Sequence, residues 1–261
     1  MRSLLAAIAF LTTIPVGKVA AFDAADVAHS AGWFPFIGVL LGTVYSLAAA
    51  LLRNCLPPEV VAVLLVILDA LATGALHYDG LADTADGFGG GKSREDILRI
   101  MRDHAIGSYG GLALASLVAL KVTAYAALLK QSNWIVALIL TPALGRWSIL
   151  LLTATLPYAR PSASAIESMG KRSLLGGTAT VLVAMIAAMI AATSATTSVA
   201  TSVTTSGRAW IAMAAVAAVT AAFGLYCRRR IAGITGDTLG ANLQLCESAA
   251  LLTFIWAGYP Q

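Results

Sequence analysis

Residues 77–111 read HYDGLADTADGFGGGKSREDILRIMRDHAIGSYGG, a polar and acidic stretch in an otherwise apolar chain. Asp79, Asp83 and Asp86 stand at i, i+4 and i+7, which on a helix places them within about 60° of one another on a single face. Three carboxylates so placed repel one another unless a cation lies among them. An oxygen-only donor set favours a hard divalent ion, Mg²⁺ or Mn²⁺, which shares its remaining positions with water and phosphate oxygens. Asp79, Asp83 and Asp86 are therefore the expected metal ligands. His77 just ahead of them, and Arg102 and Asp103 behind, join them as catalytic candidates, His77 as a proton carrier and Arg102 as a phosphate clamp. Gly87, Gly89, Gly90 and Gly91 are expected to end the helix and leave backbone amides open to an anion. Ser93 followed by Asp96 has capping-box-like spacing, which predicts a short helix from Arg94 to about His104.

Outward from this stretch the chain is membrane-like. Of its 261 residues 59% are apolar and 11% charged, with a mean hydropathy of +0.82, far from the averages of soluble domains. The net charge of +4 is small, and no surface interleaving basic and aromatic residues points to nucleic acid. Cys55, Cys227 and Cys246 lack the CxxC spacing of zinc, haem or redox sites and read as structural. Apolar runs predict seven spans, at about 33–52, 60–76, 109–129, 134–156, 174–192, 209–226 and 239–257. The expected architecture is thus all-α and polytopic, with residues 1–261 forming one integral membrane catalytic domain around a cytoplasmic helical loop at 79–107. Residues 1–21 carry an apolar run too short to span, suited to an interfacial helix and also resembling the outline of a signal peptide. The serine- and threonine-rich run 193–206 reads as an external connector. The bilayer is the expected partner, and a homo-oligomer stays open.

Lys and Arg favour the cytoplasmic side of a membrane. They gather in residues 1–32, 79–107, 157–173 and 227–238, whereas the alternate loops hold Arg53, Lys130 and Arg208. This puts the acidic stretch on the cytoplasmic side of the inner membrane, together with Arg160, Lys171 and Asp237, the expected substrate-binding wall. Glu247 supplies a further acid after Asp237, and Asp237 itself is a candidate N-cap for the last span. Asp69, Lys121 and Arg146 lie within spans, where unpaired charge is costly. Lys121 and Arg146 are expected to point into a shared polar interior, toward Asp69 or the acidic cluster, and are carried as substrate-binding candidates. Such intramembrane charges also suit a proton-coupled transporter, although the acids cluster at one surface instead of the midplane and no repeat is evident.

The motif HYDGLADTADGFGGGKSREDILRIMRDHAIGSYGGLAL resembles the signature region of the adenosylcobinamide-GDP ribazoletransferase family, the cobalamin-5′-phosphate synthases. FLTTIPVG at 10–17, FPFIGVLLG at 34–42, GRW at 145–147, YARP at 158–161 and GITGDTLGA at 233–241 extend the likeness along nearly the whole chain. The resemblance implies a Mg²⁺-dependent membrane enzyme that joins adenosylcobinamide-GDP to α-ribazole or α-ribazole 5′-phosphate, releasing GMP. It also implies that Asp79, Asp83 and Asp86 hold Mg²⁺ on the pyrophosphate and that Arg102 or Lys171 steadies the leaving nucleotide. Gln244 stands where the family's late motif often has an acid, which leaves Glu247 alone there. DGLAD is similar in part to the DG…AR motif of CDP-alcohol phosphotransferases, the alternative enzyme class, but Asp83 replaces the arginine.

Overall fold

The computed structural model describes residues 1–16, 21–160, 169, 171–195 and 199–256; the side chains at 171, 172, 188, 189 and 191–206 lie outside the description. Eleven α-helices occur among the described residues, with no strand beyond one isolated bridge. The bundle is built on α8 (Trp134–Thr155), most of whose residues are buried. Against it lies α3 (Phe34–Leu52) in the most extensive helix pairing of the molecule. Gly38 and Gly42 make this possible: a Cβ at Gly38 would fall 2.4 Å from the Pro142 carbonyl oxygen, and one at Gly42 2.4 Å from that of Leu138. The two glycines form a GxxxG pair, which lets helix backbones approach closely where the lipid provides little hydrophobic drive.

Four described stretches are long and apolar enough to cross a membrane: Ala24–Leu52, Ser108–Leu128 (α7), Trp134–Thr155 and Gly207–Ile231. The last belongs to α10 (Val199–Ile231). A fifth arises if α4 (Pro58–Thr73) and α5 (Leu76–Gly90) are taken together, but they meet at 92°. Large apolar side chains such as Leu47, Leu51, Ile67, Leu112 and Val183 are exposed on the outer helices, a belt that suits lipid and not water. The chain is a multi-pass, all-α membrane protein. Three of the seven expected spans are not among these four: the run 60–76 bends at Gly74–Ala75, the run 174–192 is apolar over 173–187 with most side chains beyond that outside the description, and α11 (Gly236–Trp256) buries Asn242, Gln244, Glu247 and Ser248 among its neighbours. Between α8 and α10, α9 (Lys171–Ala195) completes the bundle. Residues 193–195 and 199–206, expected in a connector, continue α9 and α10; residues 196–198 lie outside the described residues, as does Ala257.

At the amino end, α1 (Arg2–Leu11) is ten residues long, too short to span, and packs beside α2 (Ala24–Ser30) and a 3-10 turn at Ala31–Trp33. Arg2 grips Asp26 at 2.7 Å. The chain after α1 then caps α4: the Thr13 amide donates to Ala72 at 2.8 Å and its hydroxyl to Leu71 at 3.0 Å. Those carbonyls belong to the last turn of the helix, where that of Leu71 otherwise has only a long bond of 3.4 Å from the Gly74 amide. Gly74 and Ala75 both adopt left-handed backbone, φ 61° and 55°. For alanine this costs about 1–2 kcal/mol, and the turn it permits carries α5 and its acids away from the direction of α4.

α5 continues through Gly87, Gly89 and Gly90, which were expected to break it. These glycines serve packing. A Cβ at Gly87 would lie 2.6 Å from Met101 Cγ, and one at Gly89 2.5 Å from the Tyr109 ring. Their amides are spent inside the helix, so no open anion loop forms. α6 (Arg94–Ile100) starts on the Ser93 hydroxyl, which accepts from the Asp96 amide at 3.1 Å. It ends at Ile100, short of His104, because Asp103 Oδ1 takes the Ala105 amide and turns the chain.

Candidate functional site

Two motifs far apart in sequence are joined by the single bridge. The Ala159 amide donates to the Ile234 carbonyl at 2.8 Å, and the Ile234 amide to that of Pro157 at 2.9 Å. The contact requires Gly233, where a Cβ would sit 2.4 Å from the Pro157 carbonyl oxygen. Arg94 clamps the same corner, donating to the Ile231 and Ala159 carbonyls, and Arg230 donates to those of Phe88 and Gly91. As a result Arg160 reaches Asp237, Nη2 to Oδ2, at 2.8 Å; Pro161 lies outside the described residues. The cap of α11 is Thr235, whose hydroxyl accepts from the Thr238 amide, so Asp237 is not the N-cap and its carboxylate stays at the surface of the corner.

α11 crosses α5 where both helices carry glycine. A Cβ at Gly80 would lie 2.8 Å from the Asp237 carbonyl oxygen, and one at Gly240 3.2 Å from the His77 Cα. Contact of bare backbones sets Asp79 and Asp83 of α5 beside Asp237 of α11. Gly80→Ala is accordingly expected to cost about 1–3 kcal/mol by overpacking and to separate the acids. Thermal melting and turnover of the purified variant check this, and unchanged values in both would contradict the crossing as described.

The electrostatics of this mouth are those of an anion cluster. Burial first, then the charges of Asp79, Asp237 and Asp86, push the Asp83 carboxyl up to about 6. Burial also raises Asp237, against the pull of Arg160. Oxygen-only donors that repel one another this way fit a hard divalent cation, although no three acid, histidine or cysteine side chains among the described residues converge as ion ligands. Asp86 is engaged elsewhere: its oxygens accept the Gly107 and Gly110 amides at 2.7 and 2.8 Å. It supplies negative charge to the N-terminus of α7, and a Cβ at either glycine would strike it at 2.4 or 2.3 Å. Asp86→Asn keeps one acceptor and loses the charge, so a stability loss of about 1–2 kcal/mol is expected with a smaller activity loss than at Asp83. Parallel melting and rate measurements distinguish the two aspartates.

Next to the mouth is a cavity of about 260 Å³, lined by His77, Asp79 and Asp237 together with apolar residues. Asp83 lies within the field of Asp79 and Asp237, and Arg160 joins through its bond to Asp237. Arg102 and Asp103 are exposed on the turn after α6 and do not border the cavity. The side chain of Lys171, the first residue of α9, lies outside the described residues.

Lys121 and Arg146 are fully buried and, as expected, point into a shared polar interior with Asp69, where their partners are protein carboxylates and not the cavity lining. Lys121 Nζ bonds Asp69 at 3.1 Å and Glu247 at 2.8 Å, and Arg146 Nη1 reaches the other Glu247 oxygen at 3.1 Å. Tyr45 and Tyr78 hydroxyls donate to Asp69 at 2.8 and 2.7 Å. Two anions and two cations therefore compensate one another, and the intramembrane charges that suggested transport are paired. Glu247 lies ten residues beyond Asp237, about 15 Å deeper along a helix, and belongs to this network instead of the mouth. Sequence reasoning missed Tyr45, Tyr78 and the GxxxG pair; the latter was visible as Gly38-Val-Leu-Leu-Gly42, while the tyrosines carry no pattern that marks them.

Residues 3–255 match the family model described as cobalamin-5-phosphate synthase. Curated relatives named adenosylcobinamide-GDP ribazoletransferase include one from Rhizobium etli, 38% identical over 252 residues that cover 94% of this chain and 93% of the relative. Another, from Syntrophobacter fumaroxidans, is 35% identical over 92% and 93%, and one from Clostridium botulinum is 34% identical over 98% of each chain. No solved structure matches.

Proposed function

The chain belongs to the cobalamin-5-phosphate synthase family, and on that premise we propose that it joins adenosylcobinamide-GDP to α-ribazole or α-ribazole 5′-phosphate, with GMP leaving. The observation that carries a site assignment is the glycine crossing of α5 and α11, which puts Asp79 and Asp237 on the wall of one cavity with Asp83 within their field. Asp79 and Asp83 of the original acid triad, with Asp237 in place of Asp86, would hold Mg²⁺. When bound, the ion polarises pyrophosphate oxygens and offsets charge on the departing GMP. In this scheme the ribazole 3′-hydroxyl forms the new bond to the phosphorus on the cobinamide arm while the bond from that phosphorus to the GMP oxygen breaks. An uncommitted carboxylate of the mouth, or His77 on the cavity wall, accepts the hydroxyl proton. Arg160 holds Asp237 in place and offers its remaining N–H groups to the nucleotide phosphate. Lys121 and Arg146 position α11 through Glu247 without touching substrate.

The mouth is assigned to the cytoplasmic face of the inner membrane, where nucleotide substrates are found. This is supported by the grouping of Arg94, Arg160 and Arg230 at that end, while Arg53 stacks on Trp134 and Lys130 pairs with Glu59 at the α3–α4 and α7–α8 turns. Purified enzyme in detergent should release GMP from adenosylcobinamide-GDP only when α-ribazole is present. Chelation should stop the reaction and added Mg²⁺ restore it. No GMP from this pair, together with CMP release from a CDP-alcohol, would overturn the proposal.

A further inference from the structure

The lining of the cavity beside the crossing is chemically mixed. Asp79 and Asp237 supply its acidic part, and Phe10, Phe34, Ile149 and Leu239 an apolar part. The Phe10 and Phe34 rings stack with centroids 5.7 Å apart and planes 19° from parallel; Phe34 is fully buried and Phe10 partly exposed, so the span α3 backs the ring that the interfacial helix α1 offers to the cavity. At about 260 Å³ the space lies below the roughly 300–1,000 Å³ typical of drug-sized sites. It suits a bicyclic ring and excludes a corrin macrocycle.

The two nucleobases of the proposed reaction differ in what they require. Guanine carries acceptors at N7 and O6 and donors on its pairing edge; buried against two phenylalanines, an isoleucine and a leucine, those groups would be left unpaired at a desolvation cost. The base of α-ribazole, a dimethylated benzimidazole, carries no N–H once glycosylated, and its methyl edge gains from apolar burial. We infer that the apolar part of this lining receives the benzimidazole of α-ribazole, with Phe10, held by Phe34, and with Ile149 and Leu239 determining which lower base is accepted and the ribose directed toward Asp79 and Asp237. This rests on the transfer reaction proposed above, and it assigns the nucleotide of the other substrate to the Arg160 side of the mouth.

Phe10 is 40% exposed, so its truncation removes a wall of the cavity without emptying a core position. In Phe10→Ala, loss of ring contact worth about 0.5–1.5 kcal/mol raises the KM for α-ribazole up to about tenfold, while the KM for adenosylcobinamide-GDP stays within about twofold. Phe10→Tyr restores the wild-type KM for α-ribazole. The preference for the dimethylbenzimidazole riboside over the adenine riboside falls in the alanine variant. Binding of α-ribazole to donor-free enzyme, followed by benzimidazole fluorescence, weakens in parallel and reads the subsite independently of turnover. A KM shift confined to adenosylcobinamide-GDP, or α-ribazole binding unchanged in Phe10→Ala, overturns the assignment. Wild-type enzyme that binds α-ribazole yet releases no GMP would instead remove the transfer reaction and leave the subsite standing.

Discussion

Lys121→Met is expected to destabilise the protein by about 3–5 kcal/mol, the cost of removing one partner from a buried ion pair. The lysine has no access to solvent, and neither do its partners in any useful measure. Without it Asp69 and Glu247 face one another across the bundle with Arg146 as the remaining cation, and Asp69 retains only the hydroxyls of Tyr45 and Tyr78. Domain stabilities are about 5–15 kcal/mol in all, so the variant should yield little folded protein or melt far below the wild type in the same detergent. The double variant Lys121→Met with Asp69→Asn restores the charge balance and should recover a large part of the loss. A single variant that melts within a few degrees of wild type would show that the network is not the clamp between α4, α7, α8 and α11 described above.

Asp83→Asn should leave a folded protein with turnover reduced on the order of 10²–10³-fold, the scale of removing one preorganised electrostatic contact at a reacting phosphate. Asp83 is half-buried between Asp79 and Asp237, and its ionised form is disfavoured by that company. Amide replacement keeps the shape and removes the repulsion, so thermal stability in the absence of divalent ions should hold or rise while activity disappears. A variant that folds and keeps full turnover would eliminate Asp83 from the metal set. Comparison with Asp86→Asn gives the contrast, since that residue's oxygens are already committed to the start of α7.

Much of the site was legible because its chemistry is local. The spacing of Asp79, Asp83 and Asp86 fixes a common helix face whatever lies opposite, and α5 is helical throughout that stretch. Clustering of basic residues pointed to Arg160 and Asp237 on the same side, and the bridge at Tyr158 and Ile234 brings them into contact. What misled was the reading of individual residues without their neighbours. Four glycines resemble a flexible anion loop until Met101 and Tyr109 are seen filling the space beside them. Lys121 and Arg146 resemble substrate clamps until Glu247, more than a hundred residues from either lysine or arginine, is seen between them.

Sequence by itself determined that the chain is all-α and membrane-embedded, since hydropathy and helix periodicity are properties of each segment alone. It also determined the acidic helix face and the family, which depend on residue order. Only the tertiary structure decided which acids meet. Asp237 joins Asp79 and Asp83 because two glycines let α11 touch α5, Asp86 is withdrawn by the amides of α7, and Glu247 is neutralised in the interior. Those outcomes depend on distances between helices far apart in the chain, which packing sets and local pattern does not encode.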